Sequence, residues 1–115
     1  MKNVVLFAFR GDSMCFIHVL LYGIELSESG INTQIVLEGE STKLIPELYN
    51  ENSPLYNLAQ KALKLNIIEG VCRACSTMMG TIDEAKKRNL NILSDMSGHA
   101  GMARFINEGF EVITF

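Results

Sequence analysis

From Asn3 the chain runs directly into Val4-Val5-Leu6-Phe7-Ala8-Phe9, an apolar stretch with no polar residue at alternate positions. A strand with one wet face would alternate, so this one is covered on both faces, the pattern of a central parallel strand. Parallel neighbours cannot be reached through tight hairpins. They need crossover connections, which are usually helices.

The rest of the chain supplies those connections. Arg10-Gly11-Asp12-Ser13 offers a turn glycine and two N-cap residues, and Met14, Ile17, Leu20, Leu21 and Ile24 then recur at helical spacing until Gly30. Thr33 to Glu38 predicts a second strand. Gly39 to Asn52 is polar, holds Pro46 and predicts only a turn or two of helix. Ser53-Pro54 reads as an N-cap with proline at the first helical position, followed by one apolar face at Leu55, Leu58, Ala59, Ala62 and Leu63. Ile67 to Cys72 predicts strand three. Thr81-Ile82-Asp83-Glu84 has capping-box spacing and starts a short helix to about Arg88. Leu90 to Leu93 predicts a fourth strand, Ser97 to Glu108 a helix ended by Gly109, and Phe110 to Phe115 the last strand. Alternation of this kind predicts an α/β fold: a single domain over residues 1–115, three-layered α/β/α, with a mostly parallel five-stranded sheet.

Composition narrows the class. At 115 residues and 48% apolar, the chain suffices for one core. A net charge of -3 provides no basic field for a nucleic-acid backbone, so nucleic acid is not an expected partner. The longest apolar stretch, Cys15 to Leu26, is broken by His18, Gly23 and Glu25 and falls short of the roughly 20 residues of a membrane span. The first residues lack a signal-peptide pattern. Three cysteines without regular spacing argue for reduced thiols, and so for a cytoplasmic location.

Ligands of parallel sheets bind outside the carboxyl ends of the strands. The segments expected there are Arg10 to Cys15, Cys72 to Gly80 and Ser94 to Gly101, which hold all three cysteines and His99. Cys72 ends strand three and Cys75 falls one turn into the following helix, where amides stabilise a thiolate or persulfide, with Arg73 adding positive charge. His99, at an expected helix start among small residues, is placed to accept a thiol proton or bond a persulfide. The alternative for both cysteines is burial as small hydrophobes. A redox Cys72-Cys75 disulfide is a further alternative, and zinc held by Cys72, Cys75, Cys15 and His99 another. His18 reads as structural. Met78, Met79, Met96 and Met102 read as core or subunit-contact filler at the same edge, and Arg10 to Ser13 as a weak anion-binding signal.

Val71-Cys72, then Gly80, then Ile82-Asp83-Glu84-Ala85 resembles the DsrE/DsrF-like sulfur-relay family, with its TusD-type persulfide carriers and YchN-like fold. The opening strand, the helix after Gly11 and the aromatic last strand are similar too, so the resemblance spans nearly the whole chain. It implies that Cys72 accepts sulfane sulfur as a persulfide and passes it on, without metal or organic cofactor. It also implies sulfur donor and acceptor proteins as partners and a homo-oligomer, trimer or hexamer. Ser76-Thr77-Met78-Met79 stands where carriers of that branch often have arginines, and Cys75 is an addition placed to resolve a persulfide. Cys-x-x-Cys followed by Met-Gly is similar as well to a peroxiredoxin-like branch of the same family. On this reading the chain is a persulfide carrier or sulfurtransferase subunit with Cys72, Cys75 and His99 as its site. A non-enzymatic oligomeric module binding a small ligand or zinc is the alternative. Phe16, Leu44, Ile45 and Tyr49 are expected to expose an apolar patch that favours association.

Overall fold

The computed structural model describes residues 2–115. Among them, β1 (Asn3–Ala8), β2 (Asn32–Leu37), β3 (Ile68–Cys72), β4 (Ile92–Leu93) and β5 (Phe110–Thr114) form one sheet in the order β4-β3-β2-β1-β5. Every pairing is parallel. The helices are α1 (Ser13–Glu28), α2 (Tyr56–Lys64), α3 (Arg73–Met78), α4 (Ile82–Lys87) and α5 (Ala103–Asn107), with a 3-10 helical segment at Gly39–Tyr49. The expected α/β architecture is the one found.

Alternation along β1 divides the interior into two unequal cores. Val4, Leu6 and Ala8 face α1, α2 and the 3-10 segment, packing with Phe16, Leu20, Ile45 and Leu48. Val5 and Phe7 face the other way, into a smaller cluster with Val36, Cys72, Cys75, Ala100 and Phe105. That second face is closed mainly by the five-residue α5, anchored where Phe105 meets Phe7 and Phe110 edge-on with ring centroids 5.6 Å apart. Arg104 braces the same helix to β3 through Glu69, at 3.0 Å.

Local chemistry explains most boundaries. Asp12 caps α1 by accepting the Met14 amide at 2.7 Å, and Ser53 Oγ accepts the Leu55 amide one turn ahead of α2. The capping box expected at Thr81 does not form. Thr81 Oγ1 donates instead to the Thr42 carbonyl at 2.8 Å, tying α4 to the 3-10 segment, and Glu84 pairs with Arg88. The stretch after β2 is more ordered than its composition predicts. Leu44, Ile45 and Leu48 are buried, which holds eleven residues in a 3-10 path around Pro46.

Two further expectations are corrected. Phe16, Leu44 and Ile45 lie in the main core rather than in a surface patch, and Tyr49 is half-buried beneath Arg88. Exposed apolar area sits elsewhere, on Phe9, Leu21, Tyr22, Ile106 and Ile113 and on five methionines. The helix expected from Ser97 begins only at Ala103, because Ser97 and Gly98 both adopt positive φ, 51° and 89°, and turn the chain back. Met96 and His99 exchange both backbone hydrogen bonds across that turn, the pattern of a two-residue type I′ hairpin.

Truncating the anchor of the thin face tests this division. Phe105→Ala is expected to cost about 3–5 kcal/mol in denaturant unfolding, as for other buried aromatics. Ile113→Ala, at a residue 43% exposed, is expected to cost less than about 1 kcal/mol.

Candidate functional site

Three strand ends deliver four side chains to one point on the thin face. Glu38 follows β2 directly and shares the parity of Val36, so its carboxyl turns to the side where Cys72 lies. Its backbone N–H donates a hydrogen bond to the Ala8 carbonyl, and Gly39 bends the chain away at φ 56°. Ser41 Oγ satisfies the carbonyls of Ala8 and Glu38 at 2.6 and 2.9 Å. Cys72 is the last residue of β3 and the N-cap of α3, and its Sγ accepts the Cys75 amide at 3.4 Å. Ser76 Oγ closes the same turn on the Cys72 carbonyl at 2.6 Å.

His99 arrives from the hairpin after β4. The Gly98 carbonyl accepts the Ala74 amide at 2.9 Å, which seats the hairpin tip on the start of α3, and Asp95 Oδ1 accepts the Gly101 amide beyond it. The imidazole is thereby aimed back at both thiols. His99 Nδ1 stands 3.4 Å from Cys72 Sγ, 3.5 Å from Cys75 Sγ and 3.5 Å from Glu38 Oε1.

Burial and charge make the two thiols unequal. Cys72 is fully buried, Cys75 is 8% exposed and Glu38 6%, whereas the His99 side chain is 41% exposed and forms the outer wall. The Cys75 thiol donates to Glu38 Oε1 at 3.2 Å. Burial first, then the hydrogen bonds to Cys72 and Glu38, push it from an ordinary 9.0 up to about 12. Cys75 therefore keeps its proton at neutral pH. Cys72 Sγ accepts the Cys75 amide hydrogen, and the imidazole nitrogen faces both sulfurs almost equally, so the carboxylate bonded to Cys75 is what distinguishes the two thiols.

Cys72, Cys75 and His99 thus come together as the sequence leads one to expect. Cys15 does not join them. It sits half-buried in the first turns of α1, and Glu38 takes the place it was expected to fill in a four-ligand group. Two sulfurs, one nitrogen and one oxygen within 4.8 Å of one another form a donor set able to hold a metal ion. His18 is exposed and bonds its own helix at the Met14 carbonyl. Arg73 is exposed on α3. Met78, Met79, Met96 and Met102 are exposed rather than core, Met78 at 79%. The cleft at Arg10 to Ser13 sets Asp12 and Glu40 against Arg10 and Lys43 and carries no net positive field. Glu38 was legible in one respect: a carboxylate followed by glycine at the carboxyl end of a buried strand occupies the ligand edge of a parallel sheet.

Fold and site together define a single-sheet α/β protein in which two buried cysteines and a buried glutamate meet a half-exposed histidine at the carboxyl edge of the strands. The chain belongs to one family with the uncharacterized protein MJ0733 of Methanocaldococcus jannaschii, to which it is 33% identical over 96 residues, 84% of this chain and 76% of that protein. It is also similar to two uncharacterized proteins of Archaeoglobus fulgidus. One is 49% identical over 37 residues, 32% of this chain and all of that protein, and the other 40% over 52 residues, 45% of this chain and 84% of that protein. Neither a family model nor a solved structure matches the chain. Among the described residues no helix is long and apolar enough to cross a membrane.

Because the folded state holds the Cys75 proton more tightly than the unfolded chain, its contribution is complete below pH 9.0 and is lost as pH rises toward about 12. Unfolding free energy, measured under reducing conditions with chelator, is expected to fall across that window. Cys75→Ala should flatten the decline. Gly98→Ala, which forces a side chain onto φ 89°, is expected to cost about 1–2 kcal/mol and to raise the alkylation rate of Cys72 by loosening the His99 wall.

Proposed function

We propose that this protein carries sulfane sulfur on Cys72, the role implied by its resemblance to the DsrE/DsrF-like sulfur-relay family. The observation that supports this most is the asymmetry of the thiols. Cys72 Sγ accepts the Cys75 amide at the end of β3, while the Cys75 thiol donates to Glu38 Oε1 at 3.2 Å and keeps its proton.

The chemistry balances without a cofactor. The Cys72 thiolate attacks the outer sulfur of a donor persulfide, the donor S–S bond breaks, and the donor thiolate leaves as Cys72 becomes a persulfide. No net oxidation occurs. Cys75 can then attack the inner sulfur of that persulfide, giving the Cys72-Cys75 disulfide and releasing hydrogen sulfide. In that step Glu38 is placed to receive the Cys75 proton. The disulfide records two electrons passed to the released sulfur, and a reducing thiol resets it.

Burial sets the substrate class. A sulfur atom behind His99 meets a small persulfide or polysulfide directly, and protein donors or acceptors engage it by displacing the imidazole. Assembly into a trimer or hexamer and a cytoplasmic location belong to the same proposal. The exposed Tyr22 and Ile113, lining an apolar groove with Leu6, Leu26 and Phe115, favour association. Sedimentation of the reduced protein measures it.

Intact-mass measurement after incubation with a small sulfane-sulfur donor, in chelator, tests the carrier role. Wild type is expected to gain one sulfur atom and Cys72→Ser none, while Cys75→Ser should hold its added sulfur longer than wild type. Equal loading of wild type and Cys72→Ser would remove Cys72 from the role.

A further inference from the structure

We propose that Glu38, Cys72, Cys75 and His99 form a closed tetrahedral site for Zn2+, with all four ligands supplied by this chain. The inference goes beyond sulfur carrying and stands whether or not Cys72 accepts sulfur.

Hydrogen bonding leaves part of this group unused. His99 Nδ1 has three neighbours at 3.4–3.5 Å, the two sulfurs and Glu38 Oε1. One ring nitrogen has either one hydrogen or one lone pair, so it satisfies one of them. A cation at the centre of the group engages all of them at once. The spacing agrees. Zinc bonds of 2.3 Å to sulfur, 2.0–2.1 Å to nitrogen and 2.0–2.2 Å to oxygen at tetrahedral angles give edges of about 3.4–3.8 Å. The four short separations here are 3.2, 3.4, 3.5 and 3.5 Å, and all four atoms lie within 4.8 Å of one another.

The donor set selects the ion. Two thiols disfavour Mg2+ and Ca2+, which take oxygen ligands, and suit Zn2+ in four-coordination with nitrogen and carboxylate. The supports needed to orient such ligands are already made. The Cys75 amide points at Cys72 Sγ, and the hairpin bearing His99 is pinned to α3 through Ala74 and Gly98. Binding exchanges the two thiol protons for one Zn2+ and releases them to solvent. One lone pair of each sulfur is then bound to the metal, so the zinc form holds both thiolates and the metal-free form leaves them free to react.

Dialysis of the reduced full chain against chelator, followed by titration with Co2+ and competition by Zn2+, tests the site. Wild type is expected to bind about one equivalent, with thiolate-to-cobalt charge transfer and the intense visible bands of tetrahedral Co2+. Cys75→Ser should lose more affinity than the roughly 10–100-fold typical of an outer-shell change, and Glu38→Gln and His99→Ala at least about 10-fold each. Zn2+ should raise the melting temperature of wild type and not of Cys75→Ser. A six-coordinate cobalt spectrum in wild type would overturn the site, and that reading needs no variant to fold. Unchanged affinity in both Glu38→Gln and His99→Ala would overturn the four-ligand set. Sulfur loading is measured in chelator and metal loading without a sulfur donor, so failure of either leaves the other standing.

Discussion

The burial of β1 on both faces is the constraint from which the rest of the molecule follows. Five of its six residues are inaccessible, and they alternate between two cores that the remaining chain must close. Sixteen residues of α1, with α2 and the 3-10 segment, close one side heavily. The other side receives α5, the start of α3 and a hairpin. The cluster of Glu38, Cys72, Cys75 and His99 lies on this thinner side because Glu38 and Cys72 leave their strands on the side of Val36, Val5 and Phe7. Their polar atoms end up under a cover light enough for one imidazole to complete it.

Sequence and structure agree where period and turn chemistry act together. The β1 run, the Asp12 cap and the Ser53 start of the α2 turn were all legible, because each depends on neighbours within one turn or on simple double-sided burial. The misreadings share a cause. Ser97 and Gly98 look like a helix entrance, yet the Met96–His99 backbone pair and the docking of Gly98 on Ala74 win over local helical preference. Thr81 has capping-box spacing, but a carbonyl thirty-nine residues away in sequence claims its hydroxyl. Leu44 and Ile45 sit in a polar stretch whose burial is decided by α2 and α4 packing over it. In each instance a distant contact outweighed the local signal.

The site shows the same division. Cys72, Cys75 and His99 were readable because strand ends of a parallel sheet converge on one edge. Glu38 is absent from the expected site because the segments counted at the ligand edge follow strands one, three and four, although its place beside Gly39 at the end of strand two obeys the same rule. Its presence changes the chemistry. A buried carboxylate converts a cysteine pair into a centre where one thiol is kept neutral, a proton has a destination and a fourth metal ligand is on hand. The sulfur-carrying and zinc-holding proposals are alternative occupations of the same lone pairs. The burial of Cys72 beneath a half-exposed imidazole makes His99 the element that would govern either.

The central claim is that these four groups share one point in the folded protein, and a crystal structure of the reduced protein tests it most directly. The account predicts His99 Nδ1 turned inward between both sulfurs with the Glu38 carboxylate beside Cys75, all within 4.8 Å of one another as they are here. A His99 ring turned to solvent, with Glu38 swung out toward Arg10 or Lys43, would contradict it.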